Sequence, residues 1–208
     1  MVERLLAIDT VTIACSVALF EDGALIASDY AEIGRGHAEK LIPAIAKLPD
    51  RGRADKILVN CGPGSFTGVR IGISAAKALA LAWGSEIQGY CCLDLVAAQA
   101  LQKLDRPQSV CVAMHAGHGE YFLQDFSDKG EPLAPFAALP PEQAATRFMG
   151  SVIAGSAAAE LAAKVGTNIF FPILPNATHV SLVASKMKKL PPKPIYGRKP
   201  DAQPAKMA

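Results

Sequence analysis

Eleven residues, Gly62-Pro-Gly-Ser-Phe-Thr-Gly-Val-Arg-Ile-Gly72, constrain this chain more than any other stretch. They join an apolar run at 56–61 to a long helix-like segment at 65–83. Gly62, Gly64 and Gly68 can take backbone angles closed to other residues, and Ser65 or Thr67 can cap the free amides of the following helix. A helix N-terminus arranged this way attracts phosphate. The same spacing suits a tight strand-to-helix turn with a serine cap and no ligand. The glycines establish a turn and leave the ligand open.

What precedes the motif narrows the fold. Residues 5–8 read as a central strand and 14–20 as a second, with Cys15, Val17 and Leu19 on one face. Glu21-Asp22-Gly23 is a hairpin turn, and 24–32 supplies a third strand. An antiparallel meander therefore comes before the glycine loop. A dinucleotide-binding unit would begin with the loop, and its ribose-binding acid would end the second strand, whereas Glu86 precedes its strand. The pattern then predicts a helix at 37–48, strands at 56–61 and 86–90, and a helix at 93–104. Asp105-Arg106-Pro107 marks a boundary. Strands at 109–114 and 120–126 flank His115-Ala-Gly-His-Gly119, repeating the opening in weaker form, so a duplicated architecture is expected. A proline-rich connection at 132–141, a short strand at 152–154, a helix at 157–165 opened by Ser156 and a last helix at 178–190 complete it. The organisation is α/β, with a first lobe at 1–104, a smaller one at 105–190 and an extended tail at 191–208.

Half of the 208 residues are hydrophobic, enough for a sizeable core. The N-terminus reads as neither a secretory signal nor a membrane span, so the expected location is the cytoplasm, with no membrane partner. Five cysteines form no Cys-x-x-Cys pair and lie mostly in apolar runs. His37, His115, His118 and His179 include no i, i+4 pair, so no metal ligand is assigned. The net charge of +2 conceals an asymmetry, since 186–206 holds seven basic residues and one acidic. Such a stretch can meet phosphates, tRNA included, or stay solvated.

Two candidate surfaces emerge. Asp9, Thr10 and Thr12 open the turn after the first strand and, with Gly64 and Ser65, form a weak phosphate-loop candidate for ATP or ADP. Thr10 and Val11 stand where a phosphate loop normally has glycine. The second is the 65–83 helix. Phe66, Val69, Ile73, Ala76, Ala80 and Trp83 make one apolar face. The other side carries Thr67, Arg70, Ile71, Ser74, Ala75, Ala78 and Ala82, mostly small or apolar. A helix apolar nearly all round calls for a second layer, from this chain or from a partner subunit.

Taken together, Leu6-Ala-Ile-Asp-Thr10, Ser16-Val-Ala-Leu19, His37-x-x-x-Leu41-Ile-Pro43, the glycine motif and Pro194-Ile-Tyr-Gly-Arg-Lys-Pro-Asp201 resemble the bacterial TsaB family, also known as YeaZ-like. The resemblance covers essentially the whole chain and is densest before Tyr90. It implies an actin-like, sugar-kinase-type fold of two related lobes, the second reduced, within the glycoprotease-like superfamily. It further implies a non-catalytic role in making threonylcarbamoyladenosine in tRNA. The family pairs with TsaD, a larger paralogue that carries the metal site and transfers the threonylcarbamoyl group, and a small ATPase, TsaE, joins them. A homodimer is implied in isolation, and tRNA contact only through the complex. Where the paralogue's His-x-x-x-His motif should fall, this chain reads Cys91-Cys-Leu-Asp-Leu-Val96, so no catalytic residue is assigned and no cofactor is required. Family members usually carry aspartate where His115 stands. The resemblance assigns the partner face to the 65–83 helix and its neighbour at 93–104. The competing class is an enzyme, either an actin-like ATPase or a glycoprotease-like metallopeptidase.

Overall fold

A computed structural model describes residues 2–149 and 152–197. The first lobe runs β1 (Arg4–Asp9), β2 (Ala14–Glu21), β3 (Ala24–Glu32), α1 (His37–Ala46), β4 (Lys56–Asn60), α2 (Phe66–Trp83), β5 (Glu86–Tyr90) and α3 (Cys92–Gln102). The second runs β6 (Val110–His115), β7 (Tyr121–Phe126), β8 (Ala137–Leu139), α4 (Pro141–Arg147), β9 (Val152–Ala154), α5 (Ala158–Val165) and β10 (Phe170–Phe171). The strand order is β3-β2-β1-β4-β5 in one sheet and β10-β9-β6-β7-β8 in the other. Pairing matches strand for strand. β1 joins β2 antiparallel and β4 parallel, and β6 likewise joins β7 antiparallel and β9 parallel. The expected duplication is thus present in topology, with shorter copies in the second lobe. Its last three strands are 3, 3 and 2 residues long, against 9, 5 and 5 for β3, β4 and β5.

α3 is the wall the lobes share. Leu93, Val96, Ala97 and Ala100 join β4 and α2 residues on one side to Val110, Val112 and Val152 on the other in one continuous core. Each residue is fully buried or nearly so, which removes several kcal/mol of apolar surface from water per helical turn, at about 25 cal/mol per Å². This placement corrects the expectation that the helix at 93–104 helps form a partner face. The helix that packs beside α2 is α1.

Two more expectations change. Residues 178–190 are not one helix but two 3-10 segments, Ala177–Leu182 and Ser185–Lys188. Ala177, Val180 and Val183 pack against Ala7, Phe20 and Leu58, so this stretch, read as part of the smaller lobe, covers the outer side of the first sheet. The helix at 157–165 is also not capped by Ser156, whose Oγ instead accepts the His115 amide at 2.9 Å. The α4 helix and strands β8 and β10 lie in segments too short for periodicity to reveal.

From residue 191 to 197 the chain is extended and docks. Leu190 pairs with Gly89, and the Ile195 amide donates to the Cys61 carbonyl at 2.8 Å. The Tyr196 ring then lies 5.7 Å from that of Phe66, and a methyl group on Gly197 would run into the Phe122 ring of β7. The strap therefore touches both lobes. Arg198, Lys199, Lys206 and the rest of the tail to residue 208 lie outside the described residues.

α2 is long because its ends are well made. Ser65 caps it through the Gly68 amide at 3.2 Å, and Gly84, at φ 72°, closes it in the left-handed region. Its approach to β1 is set by glycines. A methyl on Gly64 would strike the Val11 carbonyl, one on Gly68 the Thr10 carbonyl, and one on Gly72 the Thr10 hydroxyl. Of the glycines at 62, 64 and 68, only Gly62 has a positive φ, 93°. The others are there for close approach rather than backbone angle. Gly68→Ala should cost about 3 kcal/mol, because backbone must move, and Gly84→Ala about 1 kcal/mol, because only its angle is strained. Urea unfolding of the two variants checks the order, and equal losses would refute the close-approach reading.

Candidate functional site

The phosphate-loop candidates do come together, where the β1–β2 turn meets the start of α2, but in two layers. Asp9 and Thr10 are each 1% exposed. The Asp9 carboxylate accepts from Asn60 Nδ2 at 2.6 Å and from the Val11 amide at 3.2 Å, with the Tyr90 hydroxyl also 3.2 Å away. Asn60 Oδ1 in turn accepts the Gly62 amide at 2.9 Å, tying the acid to the glycine loop. Thr10 Oγ1 donates to the Gly68 carbonyl at 2.7 Å, and the Ser65 amide donates to the Val11 carbonyl at 2.7 Å. The groups that would hold a metal-bound phosphate are already bonded to protein. Burial raises the Asp9 pKa from 3.8 to about 7, against the lowering effect of Asn60, Val11 and Tyr90.

Above this layer lies a cavity of about 450 Å³ between the lobes. Thr12, Gly64 and Ser65 line it from the first lobe, and Met114, His115 and Ser156 from the second. Thr12 Oγ1 accepts the Ala14 amide at 3.2 Å. Only the outer three of the five candidates face the space. Among the described residues, no three His, Cys, Asp or Glu side chains come together in a way that could hold a metal ion.

The second candidate surface is open. Gly68, Val69, Gly72, Ile73, Ala76 and Ala80 of α2 face the core, while Thr67, Arg70, Ser74, Ala78 and Ala82 are exposed and Ile71 and Ala75 are half-buried. Among the described residues, no layer covers that side. Leu81 is 87% exposed, and Phe66, expected in the core, is 57% exposed. The Arg70 guanidinium sits 3.6 Å above the Phe66 ring and donates to the Tyr196 hydroxyl at 3.1 Å. Tyr196 had no partner legible in the sequence, since it lies 126 residues from Arg70. The face thus carries small residues along its length and an aromatic and cationic cluster at its start.

Residues 31–193 match the family model described as TsaD, tRNA N6-adenosine threonylcarbamoyltransferase. An uncharacterized protein of Mycobacterium tuberculosis is 30% identical over 98% of this chain and 95% of its own length. The Escherichia coli tRNA threonylcarbamoyladenosine biosynthesis protein TsaB is 36% identical, over 59% of this chain and 54% of its own. The structure of YeaZ from Pseudomonas aeruginosa superposes with a TM-score of 0.74 at 31% identity, covering 86% of this chain and 90% of that one. The chain belongs to the TsaB family. A second structure, of a protein with similarity to peptidase YeaZ from Pseudomonas aeruginosa, gives a TM-score of 0.79 at 27% identity over 94% of this chain and all of that one. The two-lobed, actin-like fold expected from the sequence is therefore the fold of this chain.

In this TsaB-family chain the end of β6 is tied to α5 through His115. His115 Nε2 lies 3.0 Å from Glu160 Oε1 on α5, and the Tyr121 hydroxyl donates to the other Glu160 oxygen at 2.7 Å. Those two bonds, Tyr121 first, hold the Glu160 pKa below the usual range. No pattern in the sequence linked position 115 to 160, because the pairing needs β6 and α5 side by side. Among the described residues, no helix is long and apolar enough to cross a membrane.

The buried acid has a measurable signature. A carboxyl whose pKa rises from 3.8 to about 7 on folding contributes stability that is complete below the lower value and is lost as the pH rises through the upper one. Asp94, raised to about 7 by burial alone, acts in the same direction and is common to both proteins compared. Between pH 4 and 8, denaturant unfolding should show wild type losing up to about 4 kcal/mol more than Asp9→Ala. Parallel pH profiles would mean that Asp9 is ionised throughout.

Proposed function

We propose that this chain is a non-catalytic subunit in the biosynthesis of threonylcarbamoyladenosine in tRNA, and that it acts by binding and activating a TsaD-type threonylcarbamoyltransferase. The observation that carries the reading is the uncovered outer side of α2. Small side chains at Ser74, Ala75, Ala78 and Ala82 let another helix come close, and Leu81 and Phe66 leave large apolar area to bury. The flanking Arg70–Phe66–Tyr196 cluster has the residue types that dominate interface energetics. The names of the curated relatives supply the pathway. Without the paralogue, the same face pairs two copies of this chain, and the small ATPase TsaE joins the assembled pair. In the modification reaction tRNA is reached through the complex, and the chain works in the cytoplasm.

Asp9 and Thr10 support the non-catalytic part, since their polar atoms are spent on Asn60, Val11 and Gly68. The competing ATPase reading has one observation in its favour, the cavity between the lobes. Calorimetry with ATP and magnesium on the isolated protein separates the two. Micromolar binding abolished by Asp9→Ala would favour the enzyme, and its absence the subunit, for which neither ATP nor ADP is required.

Replacing Ala78 or Ala75 with glutamate should abolish co-purification with the cognate TsaD and the tRNA modification that depends on it. Stability should change by no more than about 0.5 kcal/mol for the exposed Ala78. Sizing of the co-expressed pair reads the first outcome and thermal unfolding the second. A complex that survives both substitutions would overturn the assignment of α2.

A further inference from the structure

On the outer side of the first sheet, remote from α2, the 3-10 segments at Ala177–Leu182 and Ser185–Lys188 leave a groove of about 280 Å³ over β1, β2, β4 and β5. Its floor is apolar, with Leu5, Phe20 and Leu58. Its rim is basic and hydroxylic: Lys56 from β4, then Ser181, Ser185, Lys188 and Lys189 from the covering segments. Glu3 is the one carboxylate among the lining residues.

The charges there are poorly matched. Lys56 has a loose partner, Glu86, at 3.8 Å, and that carboxylate is largely exposed. Among the described residues, Lys188 reaches a backbone carbonyl, that of Val180, at 3.4 Å, and no carboxylate. Among the described residues Lys189 makes no ion pair, and neither serine hydroxyl has a hydrogen-bond partner. Burial, and then the nearby Lys56 charge, lower the Lys188 pKa. Two ammonium groups facing one groove with a single lining carboxylate repel each other at a cost that an anion between them would remove. Ammonium groups together with free hydroxyls can satisfy several oxygens of one tetrahedral anion, and the apolar floor can accommodate part of the group that carries it.

We infer that this groove binds a phosphate group, carried either by a free nucleotide or by an RNA strand, through Lys56, Lys188, Lys189 and the Ser181 and Ser185 hydroxyls. The inference does not rest on the proposed partner face, which lies on a different surface. Calorimetry with the full chain at low and high salt, using pyrophosphate, AMP and a short oligoadenylate in turn, tests it. At least one probe should bind at low salt and weaken about tenfold or more in Lys188→Gln, with a further loss in Ser185→Ala. Lys47→Gln, which removes an exposed lysine paired with Asp29, should bind as wild type does. AMP binding assigns the phosphate to a free nucleotide, and oligoadenylate binding without AMP assigns it to a strand. Amine labelling provides a second readout, with Lys188 protected by the bound probe. No binding up to millimolar probe, or equal affinities in Lys188→Gln and Lys47→Gln with both folded by thermal unfolding, would overturn the inference.

Discussion

The contact between the start of α2 and the β1–β2 turn holds the first lobe together. Helix backbone and turn backbone meet there with almost nothing between them, because Gly64, Gly68 and Gly72 carry no side chain toward Val11 and Thr10. Two hydrogen bonds, Ser65 to Val11 and Thr10 to Gly68, fix the helix along its first turn. From that seat follow the depth at which Val69, Ile73 and Ala76 enter the core and the side of α2 left facing outward. The buried Asp9–Asn60–Gly62 chain of hydrogen bonds sets the glycine loop from below. A phosphate site and a packing site make similar demands on sequence, since both ask for backbone without side chains. Here the peptide of the neighbouring turn occupies the space.

That ambiguity explains what could and could not be read from the amino acids alone. The opening meander, the strand before the motif and α2 itself were legible, because each has a clear period and a turn or cap at its end. The duplication was also visible, in the two strand-turn-strand openings. The purpose of Gly64, Gly68 and Gly72 was hidden, because the atoms they make room for lie more than fifty residues earlier in the chain. Phe66 kept the helical period of a core residue and yet faces solvent beside Arg70 and Tyr196, a cluster assembled only when the end of the chain folds back. At 178–190 apolar spacing suggested a helix. The segment instead breaks at Val183, which is extended at φ −70°, ψ 131°, and lays Val180 and Val183 on the first sheet.

The two sheets differ in what they retain. Both keep the central antiparallel pair with its parallel neighbour, the smallest unit that gives a strand on each side of the founding one. In the second lobe the outer strands and the helix after the fourth strand have shrunk, with α5 at eight residues against eighteen for α2. The reduced lobe buries less surface of its own and relies on α3, which belongs to the first lobe in sequence and to both in packing. Neither lobe is then an independent domain in the energetic sense.

The strap at the end of the described chain gives this arrangement a mechanical character. One end is stitched to β5 and the Cys61 carbonyl, and the other is wedged at Gly197 against Phe122 in the opposite lobe. Rotating one lobe against the other would shear those contacts apart at the same time as it disturbed α3. The strap and α3 therefore act as two braces between the lobes, and the strap's Tyr196 ties the start of α2 into the same frame.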